Sequence, residues 1–280
     1  MKTIGFVDYY LGEWHADNYP AWIRQANAAL GEDFTLAYAW AELDRSPVNG
    51  VTTEEWCAQN GVQRCRTLSE LCEKAEYILV LAPSDPEKHL GYAREVLRYR
   101  KNTYIDKTFA PDYATAAEIF TIAQENGTPF FSTSALRYAA ELQAIHAPSR
   151  VETQGGGGNL PEYIIHQAEM VIRTVDCEPT GVQVHMENGE TVCAVTFAGG
   201  QTAQMRYAPA LDFAVRAVNG DGTVVETPIT SAYFPALLTD ILRFYVTGQP
   251  SFNPQQTLWV MKLREGALRA AQQPGVWLTL

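Results

Sequence analysis

Positive charge is scarce in this chain. Against 32 Asp and Glu stand 21 Lys and Arg, a formal net charge of −11 over 280 residues. Phosphate backbones and anionic bilayers demand clustered cations, so neither a nucleic acid nor a membrane surface is an expected partner. No apolar stretch reaches the roughly 18 to 20 residues of a membrane helix. The opening Met1-Lys2-Thr3-Ile4-Gly5-Phe6-Val7-Asp8 turns polar too early to read as a secretory signal. Cysteine is sparse as well. Cys57, Cys65, Cys72, Cys177 and Cys193 are an odd number without a C-x-x-C pair, which predicts free thiols, a reducing cytoplasm and no metal site. What is present is ordinary for a globular protein: 46% hydrophobic residues and enough length for two domains, each with a core.

The first half alternates strand and helix patterns. Thr3 to Val7, Phe34 to Trp40, Ile78 to Leu81, Tyr104 to Asp106 and Pro129 to Ser134 read as strands. Ile78-Leu79-Val80-Leu81 is the uninterrupted apolar run expected of a parallel strand covered on both faces. Helices are predicted over Pro20 to Leu30 with Asn18 as cap, from Thr52 or Thr53 to Gly61, over Leu68 to Lys74, His89 to Arg100, and Ala110 to Asn126. Repeated β-α-β units predict an α/β Rossmann-like domain with a mostly parallel sheet over residues 1 to 133. The second half changes character. A helical run follows Gly155 to Gly158 and spans Glu162 to Val175. Consecutive strands over 181–187, 191–197, 202–207 and 213–218 are separated by Asn188-Gly189, Gly199-Gly200 and Asn219-Gly220, which are hairpin signals. Helices over 232–247 and 255–273 close the chain. The prediction for 134 to 280 is an α+β domain with a large antiparallel sheet.

In an open α/β sheet, ligands gather outside the carboxyl ends of the strands. Lys107 sits at such an end, in Tyr104-Ile105-Asp106-Lys107-Thr108, and reads either as a solvated surface charge or as a catalyst. Four segments resemble the glucose–fructose oxidoreductase / inositol dehydrogenase / MocA (Gfo/Idh/MocA) family. Ala82-Pro83 followed by His89 is similar to its A-T-P-x-x-x-H. Asp106-Lys107-Thr108 falls where it has E-K-P. Gly155 to Gly158 with Leu160, Glu162 and His166 resembles its G-G-G-x-L-x-D-x-G-x-H, and Gly266 to Ala271 with Gly275 to Leu278 looks like its closing helix and strand. The resemblance implies an NAD- or NADP-dependent oxidoreductase acting on a sugar, cyclitol or related polyol; the open antiparallel sheet, of a kind that commonly buries a face in a dimer, leads to the expectation of a homodimer or higher homo-oligomer. The resemblance also implies that Lys107 and His166 flank the reacting carbon, the acid–base task for which lysine and histidine are suited. Glu162 lies one turn before His166 on the same helix face and would orient it or bind a hydroxyl. Read without the family, His166 pairs with Glu162 or Glu169 on a solvated face.

The cofactor side departs from the family. The G-x-G-x-x-G loop that follows the first strand, with bare backbone for the pyrophosphate, is replaced at its glycine positions by Asp8, Tyr10 and Glu13. Gly12 is out of register. Like charges about 4 Å apart repel by roughly 1 kcal/mol in water and roughly 4 kcal/mol near a protein surface, whereas a helix N-terminus offers an anion about 0.3–1 kcal/mol. Glu42 is the nearest candidate for the ribose-binding acid, with Trp40 in the usual place. The expected cofactor-facing set is Asp8, Tyr9, Tyr10, Gly12, Glu42, Pro83 and His89. Two readings stay open: an oxidoreductase with an altered cofactor mode, or a cofactor-free relative that binds a carbohydrate-like ligand or a partner protein. Tyr9, Tyr10, Trp14, His15 and Tyr19 fill a vacated dinucleotide crevice, stack on a nucleotide or a sugar ring, or simply pack against the neighbouring helix.

Overall fold

The computed structural model describes residues 1–280, and the chain divides into two compact units. The first comprises Met1–Thr133 and Phe234–Asn253. Its sheet has six parallel strands: β1 (Lys2–Asp8), β2 (Phe34–Ala41), β3 (Gln63–Arg64), β4 (Tyr77–Val80), β5 (Thr103–Ile105) and β6 (Phe130–Phe131), in the order β3-β2-β1-β4-β5-β6. The helices between them are α1 (Trp14–Leu30), α2 (Thr53–Asn60), α3 (Leu68–Lys74), α4 (His89–Val96) and α5 (Tyr113–Asn126). This is the expected doubly wound α/β pattern. Ile4, Phe6, Ile78, Leu79, Tyr104 and Ile105 are completely buried, as the apolar runs require of a sheet covered on both faces. Register sets the functional edge. Val7 pairs with Val80 and Val80 with Ile105, so Asp8, Leu81 and Asp106 leave the sheet at one level.

Two expectations need correction here. The first helix begins at Trp14, four residues before the predicted Asn18 cap, and Pro20 lies inside it. Glu13 caps it, accepting hydrogen bonds from the amides of His15 and Ala16. Those bonds satisfy N–H groups that every helix start leaves open, and Pro20 removes only one later donor. The crevice loop is therefore a short turn. Second, residues 234–253 pack with the first unit instead of the second. Helix α6 (Leu160–Val175) belongs to the second unit, while α7 (Tyr233–Thr247) contributes Tyr245, whose hydroxyl donates to the Ile78 carbonyl at 2.8 Å, and Phe244, which meets Phe131 at 4.9 Å. Aromatic partners distant in sequence decided that placement.

The second unit comprises Ser134–Tyr233 and Pro254–Leu280. Its sheet holds seven strands: β7 (Arg150–Gly155), β8 (Pro179–Glu187), β9 (Glu190–Phe197), β10 (Thr202–Tyr207), β11 (Ala214–Val218), β12 (Val224–Pro228) and β13 (Trp277–Thr279), in the order β12-β11-β7-β10-β9-β8-β13. All pairings are antiparallel except that of β7 with β10. The large antiparallel sheet is as expected; β7 and β12 add strands that the polar sequence concealed. Helices α6 and α8 (Gln255–Ala271) bring buried faces including Ile164, Ala168, Ile172, Val260 and Leu263. At the end of β7 the glycine run is sterically required. A Cβ on Gly156 would lie 2.2 Å from the Ala208 carbonyl oxygen, and Gly157 combines φ +144° with the Tyr163 ring.

Candidate functional site

The exits of β1, β4 and β5 form the chemically dense edge of the first unit. Asp8 is 1% exposed. Its Oδ1 accepts from the Tyr9 amide at 2.7 Å and the Ala82 amide at 3.0 Å, while Oδ2 is buried without a partner. Burial first, then the charge of Glu13, raises its carboxyl well above the usual range despite those two amides. Burial raises Glu13 as well, against the pull of His15. Ala82 holds a left-handed φ of 62°, an uncommon conformation for a residue with a Cβ and one that clusters at functional edges. A cavity of about 180 Å³ opens here, and the three residues standing at the lost glycine positions, Asp8, Tyr10 and Glu13, all line it.

Asp106, at the exit of β5, is a hub. Its carboxylate accepts from the Lys107 amide at 2.8 Å, from Tyr104 Oη at 3.1 Å and from Tyr19 Oη at 3.3 Å, and it pairs with His15 Nδ1. Burial opposes ionisation of Asp106, yet His15, Lys107 and these hydrogen bonds hold its carboxyl below the usual range. The His15 ring stacks on Tyr19 at 5.1 Å and meets Phe234 edge-on at 5.7 Å. Lys107 is 9% exposed and its Nζ donates to the Pro83 carbonyl at 3.3 Å, which corrects the surface-charge alternative. The Lys107–Thr108 peptide is cis.

The other cofactor-facing candidates divide. Glu42 directly follows β2, with its amide on the Asp8 carbonyl. Its carboxylate accepts from Lys88 Nζ at 2.6 Å and Tyr92 Oη at 2.8 Å. Burial opposes ionisation, but these bonds keep Glu42 below its usual range. The same Lys88 lies over the Tyr9 ring at 4.3 Å, so Tyr9, Lys88 and Glu42 form one stack. Gly12 turns the loop at φ +78°, and its carbonyl accepts from Asn49 Nδ2 at 2.9 Å. His89 is completely buried, with Nδ1 and Nε2 at the carbonyls of Phe109 (3.0 Å) and Leu81 (2.5 Å). Both ring nitrogens are thereby engaged by backbone carbonyls, one of them at the exit of β4. Trp14, Trp22 and Phe234 make their own cluster, with Trp22 stacked on Phe234 at 4.9 Å.

In the second unit His166 Nδ1 lies 2.7 Å from Ser134 Oγ, and its ring meets Tyr163 and Phe213 edge-on. Glu169 pairs with Arg137 through a 2.5 Å contact to Nε and accepts from the Ser134 amide at 3.2 Å. Glu162 engages the helix cap: its amide donates to Asn159 Oδ1 at 2.9 Å, and its carboxylate accepts from Asn159 Nδ2 at 3.3 Å. Beside it Gln167, fully buried, donates to the carbonyls of Gly155 and Arg206. Sequence reasoning missed the Glu13 cap and the His15–Asp106 pair. The first hides because glutamate is a poor statistical cap; the second joins residues 91 positions apart.

The thiols stand outside this chemistry. All five cysteines are free, and burial pushes Cys57, Cys72 and Cys193 up to about 12 and Cys65 to about 11. No group of three or more His, Cys, Asp or Glu side chains is placed to hold a metal ion, and no helix is long and apolar enough to cross a membrane.

No protein-family model matches the chain, and no curated protein matches it. Solved structures do. GenD2 from gentamicin A biosynthesis, in complex with NAD, superposes with a TM-score of 0.78 over 100% of this chain and 96% of that one, at 15% identity. A probable dehydrogenase from Thermotoga maritima gives 0.79 over 99% and 98%, at 11% identity. The UDP-N-acetylglucosamine 3-dehydrogenase GnnA from Acidithiobacillus ferrooxidans gives 0.74 over 98% and 97%, at 14% identity. At these identities the likeness is one of fold: the chain has the two-domain fold of the Gfo/Idh/MocA-type oxidoreductases.

Proposed function

We propose that this chain binds a sugar, cyclitol or related polyol at Lys107, His166 and Glu162, and that it does so without a nicotinamide dinucleotide. The observation carrying the second half is Glu13. Its carboxylate already occupies the N-terminus of α1, the anion site that a Rossmann fold offers to the pyrophosphate. Asp8 adds a buried carboxyl and Tyr10 a ring where bare backbone is needed, so the residues present do not fit the group. Fold alone does not assign an activity. The substrate class draws support from the likeness to GnnA, a UDP-N-acetylglucosamine 3-dehydrogenase, and from the lysine at the exit of β5. A lysine ammonium fixed by the Pro83 carbonyl is a donor for a substrate hydroxyl or carbonyl oxygen.

The competing reading is an NAD(P)-dependent oxidoreductase on the same substrate class. Glu42 favours it, because it stands directly after β2, where the ribose-binding acid belongs. Thermal unfolding separates the two. A ligand at 100 times its dissociation constant adds about 2.7 kcal/mol, a shift of several degrees for a chain of this size. We expect no shift with NAD(H) or NADP(H), and a shift with a polyol such as myo-inositol that Lys107→Ala abolishes. A clear rise at micromolar dinucleotide would establish the competing reading. Replacing Asp8, Tyr10 and Glu13 together by glycine is expected to create dinucleotide binding where the natural chain has none.

A further inference from the structure

The corner that rejects a pyrophosphate has the make-up to accept a cation. We propose that the cavity at the exits of β1 and β4 binds a small organic ammonium ion, so that the polyol is an amino sugar or aminocyclitol whose amine seats there. This rests on the reading that no dinucleotide occupies the corner. The cavity, of about 180 Å³, is lined by the acidic residues Asp8, Glu13 and Asp85 and the aromatic residues Tyr10 and Trp14, with no basic residue among its lining.

An independent feature points to a ligand. Asp8 is 1% exposed, yet of its two oxygens only Oδ1 is engaged, by the Tyr9 and Ala82 amides; Oδ2 is buried with no partner. A buried acceptor without a donor is a costly thing to leave in a protein, and an ammonium N–H supplies that donor. Glu13 faces the α1 amides through its hydrogen bonds and lines the same cavity. Burial and the neighbouring Glu13 disfavour ionised Asp8; a neutral polyol leaves that penalty in place, whereas a cation offsets it and keeps Oδ2 an acceptor. A metal ion is the poorer occupant, because no group of three or more ligating side chains is close enough to hold one. The aromatic walls suit an organic cation, whose charge is attracted to ring faces.

Isothermal titration of the intact protein tests this, at a pH where the amine is protonated and at constant ionic strength. The probes are 2-amino-2-deoxyglucose, its neutral N-acetyl derivative, glucose, and ethanolamine as an amine without a sugar ring. The amino sugar is expected to bind at least tenfold more tightly than either neutral sugar, and ethanolamine to compete with it. Glu13→Gln and Asp85→Asn should each weaken the amino sugar several-fold and leave any glucose binding unchanged. Asp85→Asn decides the matter if a Glu13 variant folds poorly. Equal binding of glucose and the amino sugar would overturn the cation site and leave the polyol reading standing. Binding of neutral polyols alone would do the same. Failure of every amine and every polyol would overturn both, and tight NAD(H) binding would likewise remove both.

Discussion

Asp8 and Asp106 leave the same sheet edge with one strand between them, and burial pushes both carboxyls upward. Their neighbours decide the outcome. Asp8 meets two backbone amides and the charge of Glu13, and stays raised; Asp106 meets His15 and Lys107, and ends lowered. The linkage signs are therefore opposite. Folding keeps a proton on Asp8 that the unfolded chain gives up near its ordinary value of 3.8, so the stability Asp8 contributes is complete below that pH and is lost as pH rises through the folded value. For Asp106 the contribution is complete above 3.8 and is lost as pH falls through its depressed folded value. Asp8→Asn keeps an acceptor for the Tyr9 and Ala82 amides and carries no charge. It is expected to raise stability at neutral pH and flatten the decline between mildly acid and neutral conditions, as read from urea midpoints across that range. An unchanged slope would show that Asp8 is ionised in the folded protein. Asp106→Ala should instead lower stability by about 3–5 kcal/mol at neutral pH, the usual cost of leaving one member of a buried pair alone.

At the scale of elements, most of the fold was legible because it rests on local pattern. The apolar run Ile78 to Leu81 and the alternation in Thr202 to Tyr207 each announce a strand, and Thr52 with Glu55 forms the capping box that starts α2. What escaped was settled by partners far away. Strand β7 carries Glu152 and Gln154 on one face and is defined by its parallel pairing with β10, about fifty residues on. The start of α1 depended on a glutamate doing a cap's work, with a proline in its second turn masking the beginning. The candidate site was legible in the same measure. Lys107 and His166 stood in recognisable motifs, whereas the role of His15 exists only once α1 is laid beside β5. The glycine run offers a direct test. Gly156→Ala sets a Cβ against the Ala208 and Pro209 carbonyls, while the nearest atom to a Cβ on Gly158 is 3.6 Å away on Tyr163. Overpacking of the first kind costs about 1–3 kcal/mol. Gly156→Ala should therefore unfold at clearly lower urea, and Gly158→Ala should match the natural chain to within about 0.5 kcal/mol.

At the scale of the molecule, the chain's path makes the first unit discontinuous. Residues 1–133 supply all six strands, and 234–253 return to pack with them. Phe244 and Tyr245 are each 1% exposed; the first packs on Phe131, and the second stacks on Tyr77 at 4.9 Å while its hydroxyl satisfies the Ile78 carbonyl. Asn102 Nδ2 adds a 3.0 Å bond to the Tyr245 carbonyl. Burying two such rings contributes about 3–6 kcal/mol, a large share of the roughly 5–15 kcal/mol that separates a folded domain from its unfolded chain. A fragment ending at Thr133 should therefore lack a cooperative melt and bind a hydrophobic dye, although it carries all six parallel strands. Supplying residues 234–253 through a flexible linker should restore the cooperative transition. A fragment 1–133 that melts sharply on its own would show that the returning helix is an accessory and that the six-stranded sheet carries its own core.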